Sequence, residues 1–336
     1  MAELKFESLH SHTRMSDGAM SHAEVLQAAE ELGVGVLAFT DHDALPNDDT
    51  VAMLRAYDGP VKWTLGVELS SFVPRAVGGP ERGAVHILGL FVDIRNAALA
   101  EFCRAAEDSR LERMRAYVGH LQSLGFVVSE EDILRSATSR NIASPHMVKA
   151  LQLHPENEAV MEQLKAEFIA AAEHDAELKA KYEQTLKDGP NQWPYTLFMG
   201  THAYKPAPVT GARTLMPYED TVKLIREAGG LAVAAHWYIE PDKMTRDDIE
   251  VVIQAGGLDG IELEVENVVN DRDLTQGAQE SLVLVEQYHL LRTWGSDSHT
   301  WADLEAFVRS PVAEKSVGQM ARLVEQAKPN LEWSRL

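Results

Sequence analysis

His10 and His12, one residue apart, close a short apolar stretch near the start of the chain. In an extended strand alternate side chains share a face, so Leu4, Phe6, Ser8, His10 and His12 line up, with two imidazoles at the carboxyl end. Same-face neighbours on a strand lie roughly 6 to 7 Å apart, and imidazoles reaching inward from there can share one cation at about 2.1 Å. A His-x-His pair also fits hydrogen-bonded core histidines, so alone it leaves both open. The same ending recurs, however, in Thr40-Asp41-His42, Gly66-Val67-Glu68, Ala234-Ala235-His236 and Gly295-Ser296-Asp297-Ser298-His299. Independent core histidines have no reason to gather at one end of successive strands, whereas a shared metal centre requires it. His86 sits early in its strand and reads equally as a core histidine, and Asp17, within Ser16-Asp17-Gly18, reads equally as a turn former.

Positioning these side chains requires strands that converge. Short apolar strands are expected at Leu4 to His10, Gly35 to His42, Val61 to Leu69, Ala84 to Val92, Leu231 to His236, Leu258 to Val265 and Leu290 to Gly295. Helices at Ser21 to Leu32, Pro217 to Ala228, Thr245 to Gln254 and Gln276 to Tyr288 alternate with them, the pattern of βα units and a parallel sheet. A barrel fits better than an open sheet, because the carboxyl ends of barrel strands converge on one mouth. From Ala97 to Lys187 the periodicity is helical. Leu99, Phe102, Cys103, Ala106, Met114, Tyr117, Leu121 and Leu124 share one helix face, and Ser129 and Ser144-Pro145 look like further helix starts, Ser144 as N-cap. A long polar helix is expected from Pro155 to Lys187. The fold expected is therefore α/β, with a barrel from residues 1–104 and 211–336 and a helical insertion over 105–210.

Lys and Arg total 31 against 52 Asp and Glu, a net charge of −21 that repels a polyphosphate backbone and disfavours long nucleic acid as a partner. No apolar run approaches the roughly 20 residues that span a bilayer. Cys103 is the single cysteine and cannot form an internal disulfide. With no basic and apolar leader in its first residues, the chain reads as cytoplasmic.

The ordered set His10-Ser11-His12-Thr13, Ser16-Asp17-Gly18, Thr40-Asp41-His42-Asp43, Gly66-Val67-Glu68, His86-Ile87-Leu88-Gly89, Ala235-His236 and Gly295-Ser296-Asp297-Ser298-His299 resembles the polymerase and histidinol phosphatase (PHP) superfamily. Within it, the chain is similar to the metal-dependent phosphoesterases that include 3',5'-nucleotide bisphosphate phosphatases. The resemblance implies a distorted (β/α)7 barrel and two or three divalent ions, commonly manganese, iron or zinc. By the same resemblance His10, His12, Glu68 and Asp297 hold one ion. Glu68 bridges to a second, bound by His86 and His236, and Asp17, His42 and His299 hold a third. Three such ions against three carboxylates leave a pocket near +3, suited to a phosphate monoester of roughly −1.5 to −2. A metal-bound hydroxide held at Glu68 and Asp297 is the expected nucleophile. The chain departs from a pattern common in that family in three places: Ser8 stands where many members have Asp, Trp237 follows Ala235-His236 where they often have Pro, and Ser144-Pro145-His146 stands where they tend to carry Arg-Pro-His.

The expected activity is hydrolysis of a small phosphorylated metabolite, such as a nucleotide or nucleotide bisphosphate. Candidate substrate contacts are Ser144 and His146 at a helix start, the cations Arg140 and Lys205, and Trp237 as a ring near the mouth. Glu262, on one face of the sixth strand with Glu264 and Glu266, is a candidate to support a ligand. The competing readings are a metal-dependent hydrolase of another ester or a C–N bond, and a non-catalytic metal-binding module.

Overall fold

The computed structural model describes residues 3–72, 84–137, 140–200, 202–207, 216–239, 245–263 and 275–336. The chain divides into two compact units, Met1–Ala106 with Thr214–Asn267 and Asp273–Leu336, and Glu107–Arg213 with Val268–Arg272.

The first unit is built on one curled sheet. Its strands are β1 (Phe6–Ser8), β2 (Val34–Phe39), β3 (Lys62–Phe72), β4 (Ala84–Leu90), β5 (Met216–Pro217), β6 (Leu231–Ala234), β7 (Gly260–Glu262), β8 (Leu291–Thr293) and β9 (Ser334–Arg335). The path through the sheet is β1-β2-β3-β4-β6-β7-β8, with the short β5 and β9 added to β3. Beyond the strand ends, the backbone of residues 9–12 bonds to that of 294–298: Leu9 N–H donates to Trp294 O (3.1 Å), Asp297 N–H to His10 O (3.0 Å) and His12 N–H to Ser298 O (2.9 Å). The two ends of the path are thus stitched together beside the histidines.

The all-parallel sheet expected from the βα rhythm needs one correction. β4 runs antiparallel to both β3 and β6, while the pairs β1–β2, β2–β3, β6–β7 and β7–β8 are parallel. Apolar alternation records which face a residue occupies and carries no sign of strand direction.

That alternation sorts the two faces. On β2, Leu37 and Phe39 join the larger core with Leu65, Val67, Leu69, Ile87 and Ile261. Val36 and Ala38 join a smaller one with Leu88, Leu90 and Val233. Glu68, His86 and Glu262 alternate with members of the larger core, so they share the opposite face. Three helices begin with capping boxes as their sequences require: Ser21 with Glu24, Thr245 with Asp248, and Thr300 with Asp303. Of the expected sixth strand, Glu264 and Val265, and Glu266 beyond it, lie outside the described residues.

Helices make up the second unit. Helix Ala97–Ser123 begins in the first unit and continues here, followed by Glu130–Ala137, Ser144–Leu151, Asn157–Ala172, Ala176–Asp188 and Trp193–Leu197. Met114, Leu121, Phe126, Ile133, Phe168, Leu197 and Phe198 form its core. The single helix expected from Pro155 to Lys187 is two, because the Asp175 side chain accepts from the Glu177 and Leu178 N–H groups and starts a new helix. Ser144 is also corrected, from N-cap to first helical residue. Ala143 is the cap, and its N–H donates to His146 Nδ1 at 3.0 Å.

Candidate metal centre

The structure brings His10, His12, Asp17, His42, Glu68, His86, His236, Asp297 and His299 together in overlapping groups of ligand atoms. Glu68, completely buried in the middle of β3, is the hub. His10 Nε2, His12 Nε2 and His42 Nδ1 lie 3.1, 3.1 and 3.0 Å from its Oε2. His86 Nδ1 and His236 Nε2 lie 3.0 and 3.1 Å from its Oε1. Asp297 Oδ1 adds contacts of 3.3 Å to His10 Nε2 and 3.0 Å to His12 Nε2. On the other side of His12, Asp17 Oδ1 lies 3.3 Å from His299 Nε2 and groups with His42.

Elements around the cluster fix each of these side chains. His10 and His12 follow β1, and His42 follows β2, where its backbone bridges to Glu68. His86 lies near the amino end of β4. Because that strand is inverted, Ser70 of β3 faces His86 and the imidazole reaches Glu68, two residues back along β3. His299 precedes the cap of helix Trp301–Arg309, and Asp303 accepts from its N–H at 3.0 Å. Its Nδ1 donates to Asp297 O at 3.0 Å, which turns Nε2 towards Asp17. His236 and Asp297 adopt φ values of +25° and +46°, backbone strain of roughly 1 to 3 kcal/mol each that is characteristic of functional sites.

Protons alone cannot satisfy this donor set. His10 Nε2 can carry one proton, yet His12 Nε2, Glu68 Oε2 and Asp297 Oδ1 all approach it at 3.1 to 3.3 Å. Its other nitrogen, Nδ1, already faces Glu262 at 3.0 Å. Donor atoms held about 2.1 Å from a common cation are separated by roughly 3.0 to 3.4 Å, which is the spacing seen here. Six imidazoles and three carboxylates therefore fit divalent cations on the chemistry of their donors.

With protons as the only cations, the charges are strongly perturbed. Burial pushes the His12 pKa down, but Asp297 and Glu68 outweigh it and raise it to about 10. Burial likewise opposes a charged His10, yet the Glu262, Glu68 and Asp297 carboxylates raise its pKa well above the usual value. For His42 burial prevails and lowers the pKa to about 3. Burial disfavours the ionised forms of Glu68 and Asp17, but the surrounding imidazoles hold both well below the usual carboxylate range.

Two carboxylates in Thr40-Asp41-His42-Asp43 have roles that the sequence did not assign. Asp41 accepts from Thr13 N–H (2.7 Å), Thr13 Oγ1 (2.8 Å) and Ser16 Oγ (2.7 Å), fixing the turn that carries Asp17. Asp43 accepts from Ser70 N–H (2.7 Å) and Ser70 Oγ (2.8 Å), beside Glu68 on β3. Their closeness to His42 was the available signal. Ser8 bonds to Ser296 Oγ (2.9 Å) and His10 O (3.0 Å) and makes no hydrogen bond to the His10 ring.

The substrate candidates are not gathered in the same way. Trp237 corrects an expectation: its ring is buried in the larger core, and its indole N–H donates to Ser281 Oγ at 2.9 Å. In the second unit, Arg140 pairs with Glu107 at 2.6 Å, and Lys205 lies over the Tyr204 ring, 4.7 Å from its centroid. His146 and Ser144 occupy the helix start described above. Among the described residues, no helix is long and apolar enough to cross a membrane.

Comparison with known proteins agrees with this geometry. Residues 8–186 match the PHP domain family. The phosphoribosyl 1,2-cyclic phosphate 1,2-diphosphodiesterase of Eggerthella lenta is 28% identical over 87% of this chain and 94% of its own. The 3',5'-nucleoside bisphosphate phosphatase of Chromobacterium violaceum is 27% identical over 87% and 86%. The 5'-3' exoribonuclease Rnm of Salmonella typhimurium is 27% identical over 93% and 92%. A crystal structure from Bifidobacterium adolescentis, named for metal-dependent phosphoesterase activity, shares the fold with a TM-score of 0.59 at 21% identity, over 89% of each chain. With its buried histidine and carboxylate cluster at the ends of a curled sheet and a family match over more than half its length, the chain belongs to the PHP domain family and is a metal-dependent phosphoesterase.

Proposed function

We propose that the substrate is a small nucleotide-like metabolite bearing a terminal phosphate, and that His10, His12, Asp17, His42, Glu68, His86, His236, Asp297 and His299 hold two or three divalent ions for its hydrolysis. The observation that carries this is the convergence on Glu68: five imidazoles lie 3.0 to 3.1 Å from its two oxygens. Manganese, iron and zinc all suit such a set of nitrogen and oxygen donors. Bound there, such ions lower the pKa of water towards 7 and stabilise the charge on the attacking and leaving oxygens.

The chain's own residues set the rest. Glu68, Asp297 and Asp17 supply the only negative charges among the nine ligands, so a set of neutral imidazoles leaves the pocket net positive and receptive to a phosphate dianion. No serine or cysteine nucleophile is required, and Cys103 is buried in the apolar core. The architecture this reading uses is a distorted (β/α)7 barrel from residues 1–104 and 211–336, with a helical insertion over 105–210 that takes part in choosing the substrate.

Phosphate release by the metal-loaded protein tests the reading across nucleoside 3',5'-bisphosphates, cyclic phosphates, sugar phosphates and short 5'-phosphorylated oligoribonucleotides. Turnover on the first class, well above the others, is the expected result. A preference for oligoribonucleotides would move the substrate towards the reaction named for the Salmonella relative. No phosphate release from any class by a protein carrying its ions would overturn the proposal.

A further inference from the structure

Glu262, the last residue of β7, is completely buried and is not among the nine clustered ligands. Its carboxylate faces two of their carriers at once. Oε1 and Oε2 lie 3.0 and 3.2 Å from His10 Nδ1, and Oε2 also accepts from the His236 backbone N–H at 3.2 Å. The far nitrogens of these two imidazoles lie on the two oxygens of Glu68: His10 Nε2 is 3.1 Å from Oε2, and His236 Nε2 is 3.1 Å from Oε1.

We propose that Glu262 is a positioning residue for the metal centre, one buried carboxylate that aims His10 through its ring and His236 through its backbone. A carboxylate facing Nδ1 keeps the His10 proton on that atom and leaves the Nε2 lone pair directed at the cluster, the tautomer a cation requires. The same carboxylate holds the peptide N–H of a residue at φ +25°, a conformation that needs support from its surroundings. Gly295 makes the arrangement possible by close approach. A Cβ at that position would stand 2.3 Å from His10 Cβ and 2.5 Å from Glu262 Oε1.

This inference rests on the metal-centre reading above, and the experiment separates the two. Glu262→Gln keeps the volume but turns an NH2 group towards one of the two donors. Zinc or manganese is titrated into the metal-free protein against a chromophoric chelator, with stoichiometry from elemental analysis. The variant is expected to bind the ions held by His10 and by His236 roughly 10- to 100-fold more weakly, while the ion at Asp17, His42 and His299 is retained. Excess metal should restore turnover, which it would not do for a damaged fold. Glu262→Asp keeps the charge, and its shorter side chain cannot reach both donors; an intermediate weakening is expected. Wild-type affinity and stoichiometry in Glu262→Gln would overturn the role. So would equal weakening of every ion without rescue by excess metal, or a misfolded Gln variant alongside an Asp variant that binds like the wild type. A wild-type protein that binds no divalent ion would instead remove the metal-centre reading itself.

Discussion

His86 Nδ1 lies 3.0 Å from Glu68 Oε1 because the strand that carries it is inverted between its neighbours. Placed near the amino end of a parallel strand, the same histidine would sit at the opposite end of the sheet from the other imidazoles. His86→Ala is expected to lose one divalent ion per chain and to lower kcat at least 100-fold, with the melting temperature of the metal-free protein nearly unchanged. Full metal content in the variant would contradict this.

Metal binding should depend on pH in a definite direction. His10 and His12, whose pKa values are raised, must release protons before they can bind a cation, so affinity rises with pH. Between pH 6 and 8, below the His12 value of about 10, each displaced proton should add about tenfold in affinity per pH unit. Calorimetry in buffers of different ionisation enthalpy counts those protons, and a count of zero would refute the prediction. For the metal-free protein the stability from His12 is fully present below the unfolded value of 6.5 and is lost as pH rises towards about 10.

Asp41→Ala removes the acceptor that holds Thr13 and Ser16. With that turn loosened, Asp17 is no longer aimed at His299, and the ion they share should bind about 10- to 100-fold more weakly. Metal titration reads this directly; retention of that ion at wild-type affinity would show that the turn holds itself.

Trp237→Phe deletes one buried hydrogen bond, to Ser281, and keeps most of the packing. About 1 kcal/mol of stability should be lost, with kcat/KM changed by less than about twofold. A tenfold rise in KM would return the ring to the substrate site.

His146→Ala removes the side chain that accepts from the Ala143 N–H. Denaturation should show a loss of about 1 kcal/mol. A drop in kcat/KM of tenfold or more at unchanged stability would give His146 the phosphate contact that its sequence position suggested.

Much of the centre is legible because strand alternation and strand ends are local properties. Spacing alone put His10 and His12 on one strand face and Glu68 and Asp297 at the ends of other strands, and each of the two histidines lies within 3.3 Å of both carboxylates. The direction of β4 is hidden, since an inverted strand alternates in the same way, so the sequence fits His86 equally as a core histidine and as a ligand. The break between Ala172 and Ala176 was hidden too, because the residues on both sides favour helix and only the capping bond of Asp175 marks the boundary. Trp237 misled by its neighbour: adjacent to His236 in sequence, it points into the core.

Ser8 Oγ and Ser296 Oγ are 2.9 Å apart across a sequence separation of 288 residues, and the backbone stitching beside them joins segments just as distant. During synthesis, therefore, His10, His12 and Glu68 leave the ribosome long before Asp297 and His299 exist. The early histidines have only part of the donor set beside them for most of translation. The full donor set forms only once the segment carrying Asp297 and His299 has paired with residues 9–12.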